Sequence, residues 1–224
     1  MSFLFQGRTW LVLLALCSLG GCVSTKIVPV DHKALAGLQG GTVVVSQREK
    51  PSFAANTAGK MMFGAVGAVA AISSGNDIIR DNDVADPAGY IEKILLNDLV
   101  TDNALKGVTS PASTNTTDVA KLAKQYAAAD LLLDVQTVNW SWIYYPTSWS
   151  HYKVIYSVKI RLIDTKHSKL IADGFCARVP DVPAESAPTK DELLENKAAR
   201  LKQELATAAD YCVQTFRTKV LEKS

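Results

Sequence analysis

The side chains that could do chemistry in this chain are few. Four are cysteines (Cys17, Cys22, Cys176, Cys212) and three are histidines (His32, His151, His167). A cysteine can be acylated, oxidised to a disulfide or bound to a metal, and a histidine can move protons or ligate. No Cys-x-x-Cys pair and no Cys/His zinc spacing occurs, so no metal is expected. Asp77, Asp81, Asp83 and Asp86 cluster, but their spacing is not that of a calcium loop and no glycine sits mid-loop. The histidines fall in a tether, a hairpin tip and a turn, where solvation is expected, and Asp191 and Glu192 belong to a helix start. No GxSxG, HExxH, P-loop or dinucleotide motif is present. The chain therefore reads as a non-enzyme that needs no cofactor.

The cysteines point elsewhere. Arg8 is the only charge in the first 25 residues, and the apolar run 10–16 and Leu19-Gly20-Gly21-Cys22 follow it. A positive start, a short apolar stretch and small residues before a cleavage point make a secretory signal. The stretch is too short to span a bilayer, which takes roughly 20 apolar residues. Leu-Gly-Gly-Cys resembles the lipobox of bacterial lipoproteins. That resemblance implies cleavage before Cys22, a diacylated thiol and an acylated amine, so the covalent lipid is the one added group expected. Several acyl chains are what stable anchoring needs. Val23, where an Asp would imply inner-membrane retention, implies the outer membrane, with the domain facing the periplasm. An ordinary secretory signal with a chance cysteine is the alternative.

Apolar residues make up 48% and charged residues 21% of the 224, an ordinary globular composition for one domain or two small ones. The net charge is +2; removing residues 1–21 takes Arg8 and leaves 23 basic against 22 acidic groups, or +1. Such a balance gives no support for nucleic acid as a partner. With Cys22 lipidated, Cys176 and Cys212 remain in an oxidising compartment and read as a disulfide stapling the last helix to the sheet. Two separate buried thiols are the alternative.

Three parts are expected: a signal at 1–21, a lipidated tether at 22–41 and a periplasmic α/β domain at 42–224. Residues 42–46 are β-branched and short, a buried strand. Asp86-Pro87 opens a helix with an apolar stripe at Tyr90, Ile91, Ile94, Leu95 and Leu99. A short strand is placed at 106–109 and a helix at 118–128, with Val119, Leu122, Ala123 and Tyr126 inward. Strands follow at 130–145, 151–164 and 170–179. The capping box at Thr189 and Glu192 starts a long C-terminal helix with Leu194, Ala198, Leu201, Leu205, Ala208, Cys212 and Phe216 at helical spacing. The fold expected is a two-layer α/β sandwich, a mixed sheet of four to five strands with helices on one face.

Two surfaces stand out. Pairing Asp134 with Arg161 puts Leu133 opposite Leu162 and Val135 opposite Ile160, so one register satisfies both faces. Continued without a break, it sets Trp142 opposite Lys153 and leaves Trp140, Trp142 and Tyr144 on the polar face, with Trp149 at the tip. These four are read as a partner contact, against ordinary cross-strand packing. The second surface is 58–75, a helical segment whose Gly64, Gly67, Ala71 and Gly75 would let another helix approach closely. It is read as an oligomerisation or membrane-contacting element, against a helix packed in the core.

The runs Leu122-Ala123-Lys124-Gln125-Tyr126 and Ala129-Asp130-Leu131-Leu132-Leu133, then Arg161-Leu162-Ile163-Asp164-Thr165, resemble the periplasmic α/β domain of bacterial outer-membrane lipoproteins. That group includes the curli-secretion lipoprotein and the lipoprotein activators of penicillin-binding proteins. The resemblance spans about 42–220. Ser168 stands where the family often has glycine, and 58–75 departs from it. It implies a scaffold, an assembly subunit or a regulator at the envelope, with an envelope protein or further copies of the chain as partner. The alternative is a regulatory lipoprotein that binds a periplasmic partner or glycan through the aromatic hairpin 140–152.

Overall fold

The computed structural model describes residues 27–221; the signal and Cys22 lie outside them. The helices are α1 (His32–Ala36), α2 (Ala58–Met61), α3 (Gly64–Asp81), α4 (Ala88–Asn103), α5 (Val119–Gln125) and α6 (Lys190–Phe216). The strands are β1 (Thr42–Val45), β2 (Gln47–Arg48), β3 (Ala54–Asn56), β4 (Lys106–Val108), β5 (Ser113–Thr114), β6 (Leu131–Tyr145), β7 (Ser148–Asp164) and β8 (Lys169–Arg178). The main sheet is six-stranded and mixed, in the order β4-β1-β6-β7-β8, with β3 joining β6 beyond the end of β1. β4, β1 and β3 run parallel to their neighbours, and β6, β7 and β8 are antiparallel.

Alternation builds the core. Val43, Leu131, Leu133, Val135, Ile160 and Leu162 point to the face covered by α4 and α6, which contribute Ile91, Leu95, Leu99, Leu201, Leu205 and Phe216. Their intervening neighbours Val44, Leu132 and Ile163 meet α5 on the opposite face through Leu122, Ala123 and Tyr126. Arg217 fixes α6 to α4 by a two-pronged ion pair with Asp98, at 2.7 and 2.8 Å. Cys176 of β8 and Cys212 of α6 are disulfide-bonded, with Cα atoms 5.5 Å apart. The capping box of Thr189 and Glu192 is formed. Backbone at Glu195–Ala198 leaves helical geometry, with φ of 51–56° at Asn196, Lys197 and Ala198. Before the break Leu193 is fully buried and Leu194 only partly so.

The segments that carry the lipoprotein resemblance tie strand ends together. The Asp130 carboxylate accepts from the Thr42 backbone N–H at 2.7 Å and its hydroxyl at 2.9 Å, joining β1 to the start of β6. The Lys166 ammonium 2.5 Å away, with these Thr42 bonds, holds Asp130 down at about 2. Thr165 donates to the Ala129 carbonyl, closing β7 on β6. Ser168 takes φ of 50°, the left-handed conformation for which glycine is suited.

Residues 27–41, expected to be part of a tether, are packed on the domain. Val28 exchanges backbone hydrogen bonds with Asp173, at 2.8 and 3.0 Å, while Val30 N–H donates to the Val220 carbonyl. Val30 and Leu35 bury their side chains in the main core, which is what holds the segment down.

Candidate functional site

Register decides where the aromatics go. β6 and β7 pair as expected through Asp134–Arg161 and Gln136–Lys159, down to Thr137–Val158. Asn139 then faces Ser157, so Val138 is an extra residue, a bulge. One added residue exchanges the faces of everything beyond it. Trp140 lies opposite Tyr156, Trp142 opposite Val154 and Tyr144 opposite Tyr152. The exposed contact expected at Trp140 and Trp142 is therefore corrected: both are buried core residues. Their rings meet Phe53 edge-on, with centroids 5.4 and 5.6 Å away. Trp140 Nε1 donates to the Pro51 carbonyl at 3.0 Å. Tyr144 is half-buried. Of the four, Trp149 alone stands out at the hairpin tip, 64% exposed.

The small residues of 58–75 need a second correction. Gly67, Ala71 and Gly75 are buried against the chain itself. A Cβ at Gly67 would collide with the Lys60 carbonyl, and one at Gly75 with the Phe53 carbonyl. Their smallness serves intramolecular packing of α3 on α2 and β3. Gly64 makes the turn between the two helices, at φ of 53°. Lys60, the only charge from 58 to 75, is directed back to the Ala55 carbonyl and the Ser74 hydroxyl. Burial holds its ammonium below the ordinary lysine range, with the charge of Lys190 a smaller cause.

What this arrangement leaves outside is apolar. Met62, Phe63, Val66 and Val69 are 77, 72, 75 and 68% exposed, and Met61 and Ile72 extend the same face. No charged side chain occurs from Met61 to Asn76. Single exposed apolar residues are ordinary, but a contiguous face of large ones marks a contact surface. These residues lie within the segment that the sequence singles out, but its outward side is Val66 and Val69, not the glycines. Which side faces out depends on β3, and the short polar stretch 47–57 carries no signal for that strand.

A polar cleft of about 620 Å³ opens beside β6, lined by Arg48, Lys50, Asp86, Glu92, Asn115 and Gln136 among others. It lies where β6 loses β1 after Leu133 and has not yet met β3 at Ser141. Arg48, on its wall, reaches past it to Asp134, which is fully buried. Asp134 accepts from Arg48 Nε and Ser46 Oγ at 2.6 Å each and from Arg161 Nε at 2.8 Å. Burial pushes the Asp134 carboxyl up, but the Arg48 hydrogen bond, the Arg161 charge and the Ser46 hydroxyl outweigh it and leave it below its ordinary value. The arginines also donate to the Thr116 and Thr117 carbonyls, at 2.9 and 2.6 Å, pinning the loop before α5. This cluster does a structural task. Glu92 is raised to about 7, by burial first and then by the charges of Asp86 and Asp134, against Arg48. His151 bonds to Ser148 at 2.7 Å at the start of β7, and His167, in the turn after β7, to Asp164 at 2.6 Å. Among the described residues no group of three or more His, Cys, Asp or Glu could hold a metal ion, and no helix is long and apolar enough to cross a membrane.

No protein-family model and no curated protein sequence matches the chain. Solved structures do. A PelC dodecamer from Paraburkholderia phytofirmans is 13% identical over 83% of this chain and 91% of its own, with a TM-score of 0.36. Lipoprotein GNA1162 of Neisseria meningitidis is 14% identical over 78% of this chain and 99% of its own, with a TM-score of 0.30. The C-terminal domain of LpoB from Salmonella enterica is 14% identical over 66% of this chain and 96% of its own, with a TM-score of 0.26. At 13–14% identity these are remote likenesses to individual structures, and they assign the chain to no family.

Proposed function

We propose that the protein is a non-enzymatic lipoprotein of the cell envelope, anchored at the outer membrane through acylated Cys22 and acting as a scaffold or assembly subunit on the periplasmic side. One observation supports this reading: the packed domain begins within a few residues of Cys22. Five residue steps separate Cys22 from Ile27, a leash of at most about 18 Å, and from Val28 on the backbone is bonded to β8. Such a chain works at the membrane surface and does not reach across the periplasm. The alternative, a regulator that grips its partner through the aromatic hairpin, loses most of its surface with Trp140 and Trp142 in the core.

Two measurements on the membrane-extracted protein test this. Intact mass should show a mature chain starting at a triacylated Cys22; a retained 1–21 segment or an unmodified cysteine would refute the anchor. Light scattering in detergent should give a multiple of the protomer mass, and a monomer at every concentration would overturn the assembly role.

A further inference from the structure

We infer that the outward face of α2 and α3 lies in the interface of the bilayer that holds the anchor, so that the domain is attached at two places and its orientation is fixed. The inference rests on the proposed anchoring for where the bilayer is.

The registers put the relevant features at one end of the sheet. β6 runs toward the hairpin tip, and β3 runs parallel to it and ends at Asn56 opposite Ile143. α2 therefore sits past the end of β3, at the tip end. α3 returns from there, with Gly67 against Lys60 and Gly75 against Phe53. Met61, Met62, Phe63 and Val66 are consequently at the tip end, as is exposed Trp149. The N-terminal segment heads the same way. Val28 pairs antiparallel with Asp173 of β8, and β8 runs toward the tip end, where Arg178 faces Tyr156. Followed backward from Val28, the chain points to that end. Val28 is level with Arg161, and Gly75 of α3, packed against Phe53, is near the level of Tyr156, about 17 Å closer to the tip, so the leash lets the acyl chains reach the plane of the α3 face, with Trp149 farther out. Laterally, four strand spacings separate Val28 from β3, roughly 19 Å, so the two attachments are distinct.

The chemistry of the face fits lipid. From Gly64 to Ile72 the exposed part of α3 measures about 13 Å, too short to cross a bilayer and suited to lying in its interface. Trp149 adds a ring of the type enriched at that depth. The anchor keeps the face at high local concentration against the membrane, so its own affinity need only be modest. The first turn of α6, with Asp191 and Glu192, joins the hairpin through the Thr189–His151 bridge. The face itself carries no charge from Met61 to Asn76, so its insertion is driven by apolar burial, and attachment should persist on zwitterionic vesicles at high salt.

The test uses the full lipidated chain. With Cys22 acylated and Cys176 bonded to Cys212, Val66→Cys supplies one free thiol for an environment-sensitive dye. Val108→Cys, on β4 at the opposite end of the sheet, is the control. In zwitterionic phosphatidylcholine vesicles the dye at 66 should shift to the blue and be quenched by nitroxide-labelled acyl chains, while the dye at 108 shows neither. A dye at 66 that stays in water on the vesicles would overturn the inference. So would a dye at 66 that is shielded from water without lipid as protein concentration rises, since that would assign the face to a second copy. Intact mass of the same sample reads the anchor separately: acylation without quenching would refute the docking and leave the anchor, and on a chain without acyl groups, with Cys17→Ser and Cys22→Ser keeping position 66 the one free thiol, quenching would support the docking without the anchor.

Discussion

Glu92 illustrates how one side chain can record the character of a cleft. It is half-buried and unsupported by any hydrogen bond among the described residues, and its carboxyl is raised from 4.5 to about 7. A carboxyl raised on folding holds a proton that the unfolded chain has already released. Between pH 4.5 and 7 the folded state therefore binds more protons, and its stability falls as pH rises through that window. Below the window Glu92 is neutral in both states; above it the penalty is complete and constant. The upper bound is about 3 kcal/mol, and partial exposure reduces it to about 1–2 kcal/mol. Glu92→Gln should then melt higher than the parent at pH 8, by about 2–8 °C for a domain of this size, and alike at pH 4. Thermal denaturation at both values checks this. A gain of equal size at pH 4, or a loss at pH 8, would show that Glu92 acts through a contact and not through its charge.

At the scale of elements, the hairpin decides what the aromatics do. Val138 is an inserted residue whose side chain is exposed, and it moves Trp142 from the solvated face to the core. Truncating a large buried aromatic costs about 3–5 kcal/mol. Trp142→Ala should therefore lower the urea midpoint sharply, and Trp142→Phe should cost less because the ring contact with Phe53 survives. A Trp142→Ala protein as stable as the parent would mean that the bulge is misplaced. The bulge was legible after the fact. Leu133, Val135 and Thr137, at odd positions, alternate with polar Asp134 and Gln136, whereas Trp140 and Trp142, at even ones, alternate with polar Asn139 and Ser141. A change of parity inside one strand is the mark of an inserted residue. Elsewhere strict alternation in β7, the capping box of α6 and the helical spacing from Ala198 to Phe216 were readable because each is a local pattern. β3 and the packing of 27–41 were not. A three-residue strand and a segment held by Val30 and Leu35 have no period of their own, and only the surfaces they cover reveal them.

For the whole molecule, the disulfide governs more than the helix it staples. Cys212 joins α6 to Cys176 of β8. β8 is the strand to which Val28 bonds, and the turn after α6 offers the Val220 carbonyl to Val30 N–H. The N-terminal segment 28–31 is thus held by two elements that the disulfide keeps in register with each other. The bond closes a loop across a separation of 36 residues, worth about 3–4 kcal/mol in the chain-entropy model. Reduction should cost that much overall, but the loss should not be uniform. Few contacts hold residues 27–31, so they belong to the least stable part of the fold. Hydrogen exchange on the reduced protein, under conditions where most of it is still folded, should show the amides of Val28, Val30 and Asp31 losing protection before those of Leu131–Val135 in the central strand. Equal loss at both places would mean that the disulfide supports the fold as a whole and does not specifically secure the N-terminal segment.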